Sequence, residues 1–177
     1  PSGEIAGSEE DMRIMVEKDI RRIADIHGIV KDHTTPLTEN GKIMYYLDAN
    51  GRYDTASRLE ALLEGIEALG ASDRIALIEE PFSAEKEIYV GDYPYTFNAD
   101  ESAHSVEDVC HRIALGYKAV ALKPIAKTLS MSFGMIKAAR QSGCGVLCAD
   151  RTPAMMNYSA GAQVALDSVH RAGVKTI

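Results

Sequence analysis

Five short apolar runs in this 177-residue chain each stop on an ionisable residue, and they do so at similar intervals. Residues 43–47 (IMYYL) meet Asp48, 75–78 (IALI) meet Glu79, 95–99 (YTFNA) meet Asp100, 119–122 (AVAL) meet Lys123, and 146–149 (VLCA) meet Asp150. The five ends lie 31, 21, 23 and 27 residues apart, each the length of one strand plus one crossover connection. Helical periodicity fills much of the space between them. Leu59, Leu62, Leu63, Ile66 and Leu69 precede Gly70, and Val106, Val109, Cys110 and Ile113 follow a Ser105/Asp108 capping box and precede Gly116. Residues 129–141 lead to Gly143. Before the first run, Ser8 followed by Met12, Val16, Ile20 and Ile23 predicts a helix ending near Gly28, and residues 29–42 read as a polar loop. A last helix is expected over 160–171, with a strand start at 174–177.

Strands alternating with helices imply right-handed crossovers and a parallel sheet buried on both faces, so the C-terminal ends of all five strands lie on one side. In a (β/α) barrel that side holds the active site. A doubly wound sheet would also bring strand ends together, but no glycine-rich phosphate-binding turn follows the first strand. The expected fold is therefore α/β, a partial (β/α)8 barrel.

The chain carries 26 acidic against 19 basic residues, a formal net charge of −7. That balance argues against nucleic acid as a partner, since phosphate binding wants clustered Lys and Arg. No run of 18 apolar residues predicts a membrane span, and no leader pattern opens the chain, which starts at Pro1. Cys110, Cys144 and Cys148 cannot all pair, and they read as reduced thiols of a cytoplasmic protein.

Three carboxylates focused on one mouth repel one another, and burial adds to the cost of each charge, so such a cluster calls for a cation. Oxygen ligands select a hard ion, Mg²⁺ first with Mn²⁺ as a substitute. Lys123 is then the group that moves a proton. A free lysine titrates near 10.4, and lowering it to about 7–8 costs on the order of 4 kcal/mol. Cation, anionic substrate and neutral lysine together suit removal of a proton from the carbon next to a carboxylate.

The elements LDANGRY (47–53), IEEP (78–81), ADES (99–102) and ALKP (121–124), in this order and spacing, resemble the barrel domain of the enolase superfamily, closest to the mandelate racemase and muconate-lactonising branch. The resemblance implies Mg²⁺-dependent formation of an enediolate, with Asp48, Glu79 and Asp100 as metal ligands and Lys123 as acid or base. It also implies that Glu80 supports the ligand shell. Asp150 is a second candidate catalytic residue, and Asn50, Glu101 and Lys127 are candidate substrate contacts. The small carboxylate substrate is expected to be a sugar acid undergoing dehydration, because Asn50, Arg52, Lys127, Asp150 and Arg151 make a polar mouth. Racemisation or epimerisation of a carboxylic acid is the alternative within the class.

Members of that branch also carry an N-terminal capping domain and a second-strand Lys-x-Lys, and neither pattern is found before Asp48. The expectation is that residues 1–177 are a fragment of the C-terminal catalytic barrel domain holding strands three to seven, with the capping domain and first two strands absent. Open sheet edges would favour a homo-oligomer. Two readings from other classes stay open: a Schiff-base lyase in which Lys123 attacks a carbonyl, and a binding-only or inactive barrel fragment.

Overall fold

The computed structural model describes residues 8–124 and 127–148. The expected fifth strand end at Asp150, Arg151 beside it, and the helix and strand expected beyond residue 160 lie outside the described residues.

Helix α1, Glu9–Val30, opens on a capping box in which the Ser8 hydroxyl accepts from Asp11 N at 3.2 Å and the Asp11 carboxylate accepts from Ser8 N at 2.9 Å. It runs two residues past Gly28, the expected stop, and its capping residue Lys31 donates to His27 O. A side chain at Gly28 would meet nothing within 4 Å, so no local feature calls for a stop there. Strand β1 is Tyr45–Asp48, helix α2 Ala56–Ala68 and strand β2 Ile75–Glu79. A single 3₁₀ turn, Ser72–Arg74, leads into β2; Arg74 there is buried and donates to Ile43 O at 3.2 Å and to Lys31 O. Strand β3 is Phe97–Ala99, helix α3 Val106–Ala114, strand β4 Ala119–Leu122, helix α4 Leu129–Gln141 and strand β5 Gly145–Cys148. β1 and β3 each begin two residues later than their apolar runs, so apolarity extends beyond the paired backbone.

The five strands are all parallel and lie in the order β1-β2-β3-β4-β5. Chain order matching spatial order means every crossover steps one strand in the same direction. That is the winding of a barrel, because a doubly wound sheet reverses at a switch point. The chain thus folds as part of a (β/α) barrel.

Pairing register sorts the strand residues onto two faces, since laterally paired residues point the same way and the side-chain period is two. Leu47, Ile78, Phe97, Ala99, Val120, Leu122 and Val146 share the face covered by the helices and join one core with Leu59, Leu62 and Ile66 of α2, Val109 of α3, and Met135 and Ala139 of α4. Each of the larger buried side chains contributes roughly 1.5–3 kcal/mol. Leu77, Ala119 and Ala121 are also buried but lie outside that core, on the opposite face, together with Asp48, Glu79 and Asn98.

The crossover from β2 to β3 contains no helix. Residues 80–96 cover the sheet as an irregular segment anchored by buried Phe82 and Val90, with Val90 N donating to Leu115 O at 2.8 Å. At the far side Gly116, φ +93, lets the backbone pass so close that a Cβ would stand 2.3 Å from Gly91 N.

Candidate active site

Asp48, Glu79 and Asp100 stand at the ends of adjacent strands because of register. Asp48 pairs with Glu79, Glu79 pairs with Asn98, and Asp100 follows Asn98 by two residues on the same face. Lys123 follows Ala121 by two, which puts it beside Asp100. Its ammonium lies 2.5 Å from Asp100 Oδ2 and 3.5 Å from Glu101 Oε1.

The Glu79 carboxylate is buried and accepts from Asn98 Nδ2 at 3.0 Å. Burial first, and the neighbouring Asp100 carboxyl second, push its pKa up to about 8. Glu80, also buried, sits in the left-handed region at φ 37 and turns its carboxylate under the Asp100 turn. Its Oε2 accepts from Asp100 N at 2.6 Å, Ser102 Oγ at 3.0 Å and Ser102 N at 3.3 Å. Burial nevertheless holds the Glu80 pKa above the usual carboxylate range against these bonds.

Lys123 departs from the lowered pKa expected of a proton carrier. Burial acts downward on its ammonium, but the ion pairs with Asp100 and Glu101 outweigh burial and hold the pKa above the ordinary lysine value. Lys127 shows the opposite balance: burial pulls it below the ordinary value, Asp100 opposes that pull and the charge on Lys123 adds to it.

Asp48 and Asn50 are exposed. Asp48 Oδ1 accepts from Asn50 N at 3.0 Å, Asn50 has φ 50 and Gly51 φ 70, and Gly51 N donates to Glu80 O at 2.6 Å. Asp-Ala-Asn-Gly is therefore a turn and also a strand end beside Glu79. Arg52, counted above as part of a polar mouth, is paired with Asp19 of α1 at 3.1 Å and lines a cavity of about 220 Å³ between α1 and β1. His104 is exposed, and His27 Nδ1 is 2.8 Å from Tyr45 Oη.

Among the described residues, no three His, Cys, Asp or Glu side chains already stand close enough together to hold a metal ion. Asp48 is turned into its own loop, and the Lys123 ammonium lies against Asp100. The donor set still fits a hard cation. Two buried carboxylates lie side by side, burial and the neighbouring Asp100 carboxyl holding the Glu79 pKa up, and the buried Asn98 Oδ1 beside them has no hydrogen-bond partner among the described residues. Asn98 was not anticipated; the available signal was a polar residue inside a strand otherwise fully apolar.

The crowding has a thermodynamic consequence. Since the folded pKa of Glu79 exceeds its ordinary value, the unfolded chain gives up this proton first as pH rises, and folding stability falls between about pH 4.5 and 8. In chelator, denaturant unfolding is expected to show lower stability at pH 7.5 than at pH 5.5, with a limiting slope of about 1.4 kcal/mol per pH unit for the one proton. Saturating Mg²⁺ should flatten that slope. Equal stability at both pH values in chelator would contradict the crowding of Glu79 and Asp100.

Comparison with solved structures points to one group of barrels. The chain superposes with a TM-score of 0.68 and 22% identity on a mandelate racemase/muconate lactonizing protein from Herpetosiphon aurantiacus, over 85% of this chain and 40% of that one. It matches the N-succinyl Arg/Lys racemase from Bacillus cereus with a TM-score of 0.67 and 18% identity, over 85% of this chain and 39% of that one. The L-Ala-D/L-Glu epimerase from Bacillus subtilis gives 0.67 and 17%, over 90% of this chain and 42% of that one. At these identities the likeness establishes the fold, the barrel that the four motifs resemble. The chain spans about two fifths of the length of each of these structures. No family model and no curated protein sequence matches it.

Proposed function

We propose that this chain belongs to the barrel domain of an enolase-superfamily enzyme of the mandelate racemase and muconate-lactonising branch, which removes the proton α to a substrate carboxylate. The observation that carries the proposal is the convergence of Glu79, Asp100 and Lys123 on one sheet face at adjacent strand ends. Asp48, Glu79 and Asp100 would hold Mg²⁺, or Mn²⁺ in its place. When bound, the cation supplies Lewis-acid stabilisation to the substrate carboxylate as its α-carbon becomes carbanion-like.

The chain's own residues do the rest. Lys123 takes the α-proton on its Nζ once neutral, and it must leave its ion pair with Asp100 to do so. Lys127, whose pKa burial lowers, lies within electrostatic reach of Lys123 and Asp100 and would meet the anionic end of the substrate. Glu101, exposed and 3.5 Å from the Lys123 ammonium, and Asn50, exposed just past the end of β1, would serve as substrate contacts. Asp150 is a further candidate for the proton transfers.

Re-protonation, giving racemisation or epimerisation, is favoured over sugar-acid dehydration. Arg52, one of the polar groups that suggested a polyhydroxylated substrate, is committed to Asp19. The compared racemase and epimerase also share this fold. The test is proton NMR of the whole protein in D₂O with Mg²⁺, against N-acyl amino acids, dipeptides and sugar acids. Loss of the α-proton signal with inverted configuration supports epimerisation, and a keto-deoxy product supports dehydration. Turnover that persists in chelator, with borohydride trapping of substrate on Lys123, would replace the proposal by Schiff-base chemistry.

A further inference from the structure

Helix α1 is fastened to the loop that follows β1 by a single carboxylate. Asp19 lines the cavity between α1 and β1, and its side chain is only 13% exposed. Its Oδ2 accepts from Arg52 Nη2 and from the buried Tyr53 Oη, each at 3.1 Å, and its Oδ1 accepts from the same Arg52 nitrogen at 3.4 Å. Arg22 is 3.9 Å away and mostly exposed. One acidic side chain of the helix thus holds two consecutive residues of the β1–α2 loop.

Arg52 passes that anchorage to the backbone. Its Nε donates to Ala49 O at 3.0 Å and its amide donates to the same carbonyl at 3.2 Å, so side chain and main chain together clamp the residue next to Asp48. Between the two ends of the clamp lie Asn50 and Gly51, with φ 50 and φ 70, and in this conformation Asn50 N reaches Asp48 Oδ1 at 3.0 Å. Asparagine tolerates the left-handed region without enforcing it, so the turn depends on what holds its ends. The clamp uses two different edges of one planar guanidinium, Nε for Ala49 and Nη2 for Asp19, which no other side chain offers. A partly exposed ion pair adds little to stability by itself, so the Asp19–Arg52 pair acts chiefly as a geometric constraint.

We propose that Asp19 is a positioning residue for Asp48: through Arg52 it fixes the turn over residues 49–52 and with it the orientation of the Asp48 carboxylate. The link rests on the hydrogen bonds themselves, whereas its bearing on the cation rests on the reading of Asp48 as a ligand.

The test is amide hydrogen exchange and Mn²⁺ calorimetry on the 177-residue chain, Asp19→Asn, Arg52→Met, the pair of these, and Tyr53→Phe. Asp19→Asn keeps an acceptor for the Tyr53 hydroxyl and removes the charge that holds Arg52. Arg52→Met breaks the same link from its more exposed partner, which keeps the test open should Asp19→Asn fold poorly. Each single change is expected to speed exchange at Asn50 and Gly51 at least about fivefold while the β3 and β4 amides change less than about twofold. The pair should exceed the faster single variant by less than about twofold, because both changes break one link. Tyr53→Phe, which removes the other Asp19 contact and spares Arg52, should stay within about twofold of the parent. Acceleration by Tyr53→Phe equal to that by Asp19→Asn would overturn the proposal and leave Asp19 a docking contact of α1, as would parental exchange at Asn50 in Arg52→Met.

Mn²⁺ affinity separates positioning from simple charge. Asp19→Asn removes a negative group and Arg52→Met a positive one, so an effect through the local field alone would weaken binding in the first and tighten it in the second. Positioning predicts binding at least about threefold weaker in both, and opposite shifts would overturn it. Faster amides with parental affinity in both variants would keep the Asp19–Arg52–turn link and remove Asp48 from the cation site.

Discussion

Lys123→Ala is expected to slow exchange of the substrate α-proton with solvent deuterium by at least about 10³-fold in the whole protein, without weakening Mg²⁺ binding. A thousandfold loss is about 4 kcal/mol of barrier, the middle of the range for one acid–base group. The unusual half of the prediction is the cation affinity. The Lys123 ammonium is 2.5 Å from Asp100 Oδ2, so in the cation-free protein it competes for the carboxylate the cation needs. Deleting it removes a competitor, and affinity should hold or rise. The same contact shows how a lysine held above its ordinary pKa would serve as a base. Once Asp100 is committed elsewhere, its share of the upward pull is gone and burial of the ammonium acts against less opposition. A variant that still exchanges at the parental rate would remove Lys123 from its role.

Glu79→Gln should move cation affinity and cation-free stability in opposite directions. Losing one of two adjacent buried carboxylates is expected to weaken Mn²⁺ binding at least about 100-fold. In chelator at pH 7.5 the same variant should be more stable than the parent, because an amide relieves the charge crowding that pushes Glu79 up to about 8. Calorimetric titration and denaturant unfolding read the two effects on one preparation. A residue that merely packs would lose stability on substitution and leave affinity alone. A variant that binds Mn²⁺ as tightly as the parent would remove Glu79 from the cation site.

Much of the site was legible because strand ends in a parallel sheet are a one-dimensional signal. An apolar run of four or five residues followed by a charge marks the position where a side chain leaves the core, and parallel pairing gathers such positions without further information. The strand-end positions of Asp48, Glu79, Asp100 and Lys123 were found this way. Asn98 left a fainter trace, a polar residue in the middle of a buried three-residue strand. Arg112 left none, since a lone arginine on an amphipathic helix ordinarily faces solvent. Its partners Ala84 O and Lys86 O lie 28 and 26 residues earlier, in the crossover between β2 and β3 that contains no helix. The turn and ligand readings of Asp48 also could not be separated in sequence, because Asp-Ala-Asn-Gly serves both.

That ambiguity at Asp48 makes it the sharpest probe of the claim that three strand-end carboxylates form one cation site. The measurement is calorimetric titration of Mn²⁺ into the 177-residue chain beside its Asp48→Asn variant, which keeps the turn-forming acceptor for Asn50 N and removes the charge. Saturable binding of one ion by the parent, weakened at least about tenfold in Asp48→Asn, is the predicted result. Equal affinity in the two proteins would mean that Asp48 is only a turn residue and would contradict the three-carboxylate site.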